Sequence, residues 1–321
     1  MSSSSAIPPN LLLKDRYRVE KEIGRGGFGA VYLARDEQLV SRRVVVKVLL
    51  DDAGRDPWLQ KKFRQEIEAL ARIDHPGVVG ALDVGETPAG NPFLVMQFVE
   101  GVTLRSAIRE GGMDLARVAH ILRQAGQALS AAHEKGVYHR DLKPENIMLQ
   151  DLGEGAEQVK LIDFGIAAIR DSQVAAGGQT SRIAGSLAYM APEQLVGKAA
   201  PSSDIYALGL VAYEMITGQR PEMTPQGVQA KPSELRPGVP EAAEAAILKA
   251  LAFHPEQRYA RPRDFGEDLA RALTGTTSAP APAPRQETTQ PSLEMAYVLF
   301  TDLVSYSTFS MDKQTRMITE L

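Results

Sequence analysis

Hydrophobic positions alternate with polar ones early in the chain and recur every three to four residues later. From Tyr17 to Leu50 the runs Tyr17-Arg-Val-Glu, Ala30-Val-Tyr-Leu-Ala and Arg43-Val-Val-Val-Lys-Val-Leu are short, β-branched and separated by turn residues. They predict antiparallel hairpins. Residues 57–73 switch to helical period, with Phe63, Ile67, Leu70 and Ile73 on one face. Strand-like runs return at Val78–Val84 and Phe93–Phe98. Past Gly101 the texture becomes helical, in the segments Val118–His133, Ser203–Ile216, Ala242–Phe253 and Phe265–Leu273.

This order predicts an α+β chain with a small β-rich lobe carrying one main helix, followed by a larger, mostly helical lobe. Residues 166–188 and 218–240 read as long irregular stretches, which inside a compact domain are usually functional or disordered. Residues 1–10 read as a disordered tail. Residues 275–292 are rich in Pro, Ala and Thr, cannot bury a core, and predict an extended linker. Residues 293–321 form a separate short segment with an apolar run at Tyr297–Phe300.

Composition narrows the field. The 321 residues are 44% hydrophobic and 24% charged, ordinary for a globular protein with a sizeable core. A formal net charge of −4 gives no case for nucleic acid or an anionic membrane as partner. Without cysteine, disulfides, thiolate metal sites and a cysteine nucleophile are excluded, and a reducing cytoplasm fits. The Ser- and Pro-rich start lacks the pattern of a signal peptide, and no run of about 18 apolar residues predicts a membrane span.

Four clusters point to chemistry. Gly24-Arg-Gly-Gly-Phe-Gly29 is flanked by strands on both sides; it reads either as a hairpin turn or as a loop whose amides approach phosphates without Cβ clashes. A following strand argues against a dinucleotide fold, where a helix should follow the glycines. Lys47 lies among apolar strand neighbours, so its charge needs a partner, and Glu66 on the next predicted helix can supply one. The segment His139-Arg-Asp-Leu-Lys-Pro-Glu-Asn146 reads either as a solvated loop or as polar groups held between buried flanks, Val137 and Ile147-Met-Leu. Leu161-Ile-Asp-Phe-Gly165 ends an apolar strand in an acid, and a carboxylate there suits Mg²⁺ together with substrate phosphates.

The glycine loop, the strand lysine, the helix glutamate, the His139–Asn146 segment, Asp163-Phe-Gly165 and Ala191-Pro-Glu193 follow one another in a single order. Over roughly residues 11–274 this resembles the bacterial branch of the eukaryotic-type (Hanks-type) Ser/Thr protein kinases. The resemblance implies a two-lobed kinase fold, with an N-lobe at about 11–98 and a C-lobe at about 99–274. It also implies transfer of the γ-phosphate of ATP to protein hydroxyls, with Mg²⁺, or Mn²⁺ in its place.

The resemblance assigns roles. Gly24, Gly26, Gly27, Phe28 and Gly29 would cover the ATP phosphates. Lys47, oriented by Glu66, would hold the α- and β-phosphates. Val31, Met96, Gln97 and Val99 would contact the nucleotide, Met96 as gatekeeper before the hinge Gln97–Gly101. Asp163 and Asn146 would bind metal, Asp141 would accept the substrate hydroxyl proton, and Lys143 would steady the γ-phosphate. Lysine two positions after Asp141 resembles the Ser/Thr rather than the tyrosine branch. Glu193 should pair with Arg258, and Asp204 should anchor the catalytic loop, both as structural groups. Residues 163–193 would form the activation segment, with Thr180 and Ser181 as phosphosites that can pair with Arg140 or Arg182, or as part of an unmodified loop. Ser186 would be structural.

Residues 296–321 resemble the start of a class III nucleotide cyclase domain, in which Asp302 and the carbonyl of Leu303 would bind metal. That implies a kinase–cyclase fusion whose cyclase part is incomplete and inactive here; the other reading is a docking strand and helix. A nucleotide-binding pseudokinase competes with an active kinase, and the presence of Lys47, Asp141 and Asp163 favours activity. Expected partners are ATP and Ser/Thr-bearing proteins, with a homodimer left open.

Overall fold

The computed structural model describes residues 7–25, 29–49, 57–164, 188–224 and 227–275. Gly26, Gly27, Phe28, Thr180, Ser181, Ser186, nearly all of the linker and Asp302 lie outside them, as do the side chains at 57–59, 62 and 66.

The chain starts with a six-stranded antiparallel sheet. Its strands are β1 (Leu12–Leu13), β2 (Tyr17–Arg25), β3 (Gly29–Asp36), β4 (Arg42–Leu49), β5 (Ala81–Glu86) and β6 (Pro92–Gln97), in the order β1-β2-β3-β4-β6-β5. Helix α1 (Pro57–Leu70) lies between β4 and β5 in sequence. The central strand β4 is apolar at consecutive positions because both of its faces are covered. Val44, Val46 and Val48 join Tyr17, Val19, Tyr32, Phe93 and Val95 in one buried cluster. Leu49, Leu94 and Met96 join the other, which runs on through Phe63 of α1 into the helical part of the chain. Because side chains alternate across a strand, Lys47 shares the face of Val45 and Leu49, the face turned toward the helical lobe.

The helical lobe is built on α3 (Leu115–Glu134) and α5 (Pro201–Thr217). Before α3 come β7 (Val102–Thr103) and the short helix α2 (Leu104–Ala107). Asp114 caps α3 by accepting from the Arg117 N–H at 2.9 Å. Every residue of α5 from Ser203 to Thr217 is buried, which is why it is apolar around its circumference. Helix α8 (Pro262–Thr274) crosses α3 at two glycines. A Cβ at Gly126 would meet Pro262 O at 2.8 Å, and one at Gly266 would meet Leu122 O at 2.6 Å, so only glycine allows this approach. Helix α7 (Glu241–Ala250) completes the packing, and the short helix α4 (Pro192–Leu195) precedes α5.

A second sheet, β7-β8-β9, sits beneath the first, with β8 at Ile147–Gly153 and β9 at Ala156–Leu161. The outer edge of β9 is covered. Gln124 of α3 accepts from Val159 N–H at 3.0 Å and donates to Glu157 O at 2.9 Å. Further along, Leu161 donates to Gly77 O at 2.8 Å and accepts from Val79 N–H at 3.0 Å.

Several boundaries differ from expectation. The helix expected over 57–73 stops at Leu70; Ile73 is buried from the turn that follows, so its apolar period outlasts the helix. The strand expected from Val78 begins at Ala81, and Val78 makes only an isolated parallel bridge to Leu161. Within 218–240 the chain forms a hairpin, β10 (Met223–Thr224) with β11 (Gly227–Val228), and the helix α6 (Pro232–Leu235). These are too short to show a period.

Candidate active site

The residues singled out from sequence converge between the two sheets and the top of the helical lobe. Lys47 Nζ lies 2.8 Å from Asp163 Oδ1, with 13% and 36% of the side chains exposed. Burial alone would push the Asp163 carboxyl up, but the charge and hydrogen bond of Lys47 outweigh it and hold it below the ordinary carboxylate value. The register sets Val31 of β3 and Leu94 of β6 beside Lys47. Val45, pairing with Met96, shares the Lys47 face and adds an apolar wall that the motif spacing did not flag. Below it, Phe63, Ile67 and Leu70 of α1 line a small recess with Leu94, Met96 and Phe164. The backbone of Glu66 belongs to α1, while its side chain lies outside the description. The contact described for Lys47 is the one with Asp163.

The loop ahead of β8 carries the second group. Lys143 Nζ donates to Asp141 Oδ2 at 2.9 Å. Asn146, on the 3-10 turn Pro144–Asn146, donates from Nδ2 to Asp141 O at 2.8 Å. That bond engages the amide nitrogen rather than Oδ1. Ile162 N–H in turn donates to Asn146 O at 3.0 Å, tying this turn to the strand that delivers Asp163.

Two residues of the site hold left-handed backbone: Arg140 at φ 62° and Asp163 at φ 61°. For residues other than glycine such angles require support from their surroundings. Asp204 at the start of α5 supplies it for the loop. Its carboxylate accepts from His139 N–H at 2.8 Å and Arg140 N–H at 2.7 Å, and His133 Nε2 stands 2.7 Å from the same group. Burial would raise the Asp204 carboxyl; these donors, His133 first, keep it below its ordinary value. His139 is fully buried, and burial pushes its imidazole pKa down, favouring the uncharged ring. Its Nε2–H donates to Ile162 O at 3.0 Å, and its ring packs on Phe164 at 4.6 Å. The Asp141 loop and the Asp163 segment are thus mechanically joined.

Around this centre lie the hinge and the anchor. Met96 and Val99 are buried, and the Gln97 N–H donates to Gly80 O at 3.0 Å. Gly24 pairs with Val31 in register, and a Cβ at Gly29 would meet Val48 O at 2.8 Å. The expected pair forms at the other end of the lobe: Arg258 binds Glu193 through two bonds of 2.6 and 2.9 Å, with no part of the arginine side chain exposed.

A family model described as the protein kinase domain matches residues 17–273. The chain belongs to the protein kinase family. Among the family's curated members, the serine/threonine-protein kinase PknB of Mycobacterium tuberculosis is 40% identical over 279 residues, covering 82% of this chain and 44% of that protein. PknB of Mycobacterium leprae is 39% identical over 284 residues, covering 84% and 44%. The chain therefore spans less than half the length of these relatives. The crystal structure of the Mycobacterium tuberculosis PknI kinase domain superposes with a TM-score of 0.65 at 25% identity, covering 83% of this chain and all of that one. The fold is the kinase fold, with an antiparallel N-lobe and a helical C-lobe.

Kinases use ATP and a divalent ion. Among the described residues no cluster of three or more histidines and acids forms a self-sufficient metal cage. One carboxylate, Asp163, and one amide oxygen, Asn146 Oδ1, remain, a hard-oxygen donor set that fits Mg²⁺ completed by phosphate and water.

Proposed function

We propose that the chain transfers the γ-phosphate of ATP to serine or threonine hydroxyls of proteins. The observation that carries this is the juxtaposition of Lys47 with Asp163 on one side and of Asp141 with Lys143 and Asn146 on the other, joined through His139 and Ile162. Phosphoryl transfer needs positioning and charge stabilisation more than covalent help. A bound divalent ion, held by Asp163 and Asn146, would neutralise charge on the phosphates. Lys47 would bind the α- and β-phosphates under the loop Gly24–Gly29, with the adenine against Val31, Met96, Gln97 and Val99. Asp141 would accept the hydroxyl proton, and Lys143 would neutralise charge on the transferring group. Glu66 would orient Lys47.

Asp141→Asn tests the reading. Transfer to a protein acceptor should fall by about 10²–10⁴, while ATP binding is nearly retained. Equal transfer by both proteins would remove Asp141 from the reaction. Product analysis should show phosphoserine and phosphothreonine without phosphotyrosine, as Lys143 and the names of the relatives suggest.

The finer parts of the reading are also proposals. Thr180 or Ser181 is autophosphorylated and pairs with Arg140, and phosphosite mapping after incubation with ATP should find one of them modified. Mg²⁺ is the working ion, with Mn²⁺ able to replace it. ATP use and the lack of cysteine support a cytoplasmic site of action in bacterial signalling; no described helix is long and apolar enough to cross a membrane. The resemblance around Asp302 supports fusion to a nucleotide cyclase. Expression with a complete cyclase domain should yield cyclic nucleotide that is lost in Asp302→Ala. A homodimer would be read from concentration-dependent sedimentation.

A further inference from the structure

Gln194 is a buried amide to which the proposed reaction assigns no role. It sits on α4, one residue past Glu193, and only 7% of it is exposed. Its Oε1 accepts from Ala191 N–H at 3.0 Å, closing the start of α4, and its Nε2 donates to Arg140 O at 3.0 Å. These two partners fix which way the amide points: reversed, it would set nitrogen against N–H and oxygen against C=O. The helix that carries it is itself fastened down. Glu193 is bound by buried Arg258 at 2.6 and 2.9 Å and accepts from Ser203 Oγ of α5 at 2.7 Å. Gln194 thus reaches toward the catalytic loop from a fixed base.

Arg140 O belongs to the peptide unit that leads into Asp141. On the other side of Arg140, the N–H donates to Asp204 Oδ1 at 2.7 Å. The two peptide units flanking this left-handed residue, at φ 62°, are therefore pinned one each by Asp204 and Gln194. Asp141 O in turn accepts from Asn146 Nδ2 at 2.8 Å. The backbone of Asp141 is gripped before and after. Left-handed backbone at a residue other than glycine persists only while its surroundings hold it. We infer that Gln194 is a positioning residue: through Arg140 O it sets the aim of the Asp141 carboxylate, and it ties that aim to the placement of Ala191, near the end of the stretch proposed as the activation segment. This rests on the kinase reading above and deepens it. A displacement of about 1 Å at a reacting group costs on the order of 10²-fold in rate, so a single bond on the preceding carbonyl has leverage over transfer.

The test compares steady-state transfer to a protein acceptor by wild type and by Gln194→Met, which keeps the length of the side chain and removes both bonds. Gln194→Leu is the second variant should the methionine protein fail to fold. The value of kcat should fall about tenfold or more, while KM for ATP stays within about twofold, because Lys47 and Asp163 are untouched. Combined with Asp141→Asn, the same change should have little further effect, since a residue that acts through Asp141 then has nothing left to aim. A purely structural glutamine would lower stability and either leave kcat alone or reduce it by the same factor in both backgrounds; either result in a folded variant overturns the inference. Amide hydrogen exchange separates the inference from the kinase reading. Residues 139–141 should exchange about tenfold faster in Gln194→Met than in wild type, whatever the activity. Faster exchange with no transfer by any protein, wild type included, upholds the coupling and overturns the proposed activity. Unchanged exchange with full transfer by wild type overturns the coupling and leaves the activity standing.

Discussion

The floor of the catalytic loop and the mouth of the cleft are both organised by acids, but they treat them differently. At the floor, Asp204 is 1% exposed, and its oxygens receive two backbone N–H groups and His133. At the mouth, Asp163 is held by one ammonium and keeps 36% of its side chain exposed. The floor acid is buried with its oxygens already taking three donors, and burial closes it to a ligand. The mouth acid receives one ammonium and stays partly exposed, which supports the role proposed for Asp163 as a metal ligand. Deep burial among fixed donors suits the structural role expected of Asp204, and partial exposure suits the role proposed for Asp163.

Removing the floor acid should have the largest effect on the fold. Asp204→Ala strands two backbone donors and withdraws the support for Arg140 at φ 62°, and should cost about 3–5 kcal/mol in urea unfolding. Loss of transfer without loss of stability would place Asp204 with the working acids and break the distinction. Gly29→Ala comes next. A Cβ 2.8 Å from Val48 O forces β3 and β4 apart, and a cost of about 1–3 kcal/mol is expected, with weaker ATP binding read by calorimetry. Lys47→Met should shift stability by less than about 1 kcal/mol, because its partner is a third exposed, while transfer drops strongly.

Acid sharpens the contrast further. Asp204 and Glu193 both have folded values below their ordinary 3.8 and 4.5. The unfolded chain therefore binds protons more readily, so their contribution to stability is complete above about pH 5 and is lost as pH falls through the folded values. Unfolding free energy measured from pH 7 downward should decline in that window. The decline should be shallower in Glu193→Gln, whose buried Arg258 partner no longer depends on a titrating group.

The residues proposed for the site could be named from sequence because phosphoryl transfer calls for side chains of fixed type at fixed separations. Lys47, Asp141, Lys143, Asn146 and Asp163 could be listed before any coordinate. Their contacts were less legible. The contact of Lys47 with Asp163, 116 residues away, is one that no local pattern reports, and the expected pairing with Glu66 falls on a side chain outside the described residues. The strand pattern around β4 succeeded because burial on both faces leaves a continuous apolar run. The pattern at Ile73 misled because a buried turn can prolong a helical period.

One helix side chain set against the second sheet bears on how the molecule behaves in a crowd. Gln124 presents β9 with an amide oxygen and an amide nitrogen, spaced like those of a neighbouring peptide unit, while residues 77–79 occupy the rest of that border. Gln124, with His120 of the same helix also bonding Glu157 O at 3.0 Å, thus impersonates a missing strand. Copies of the molecule are denied a template for self-association along that rim, and colloidal solubility there is guarded by a helix rather than by charge.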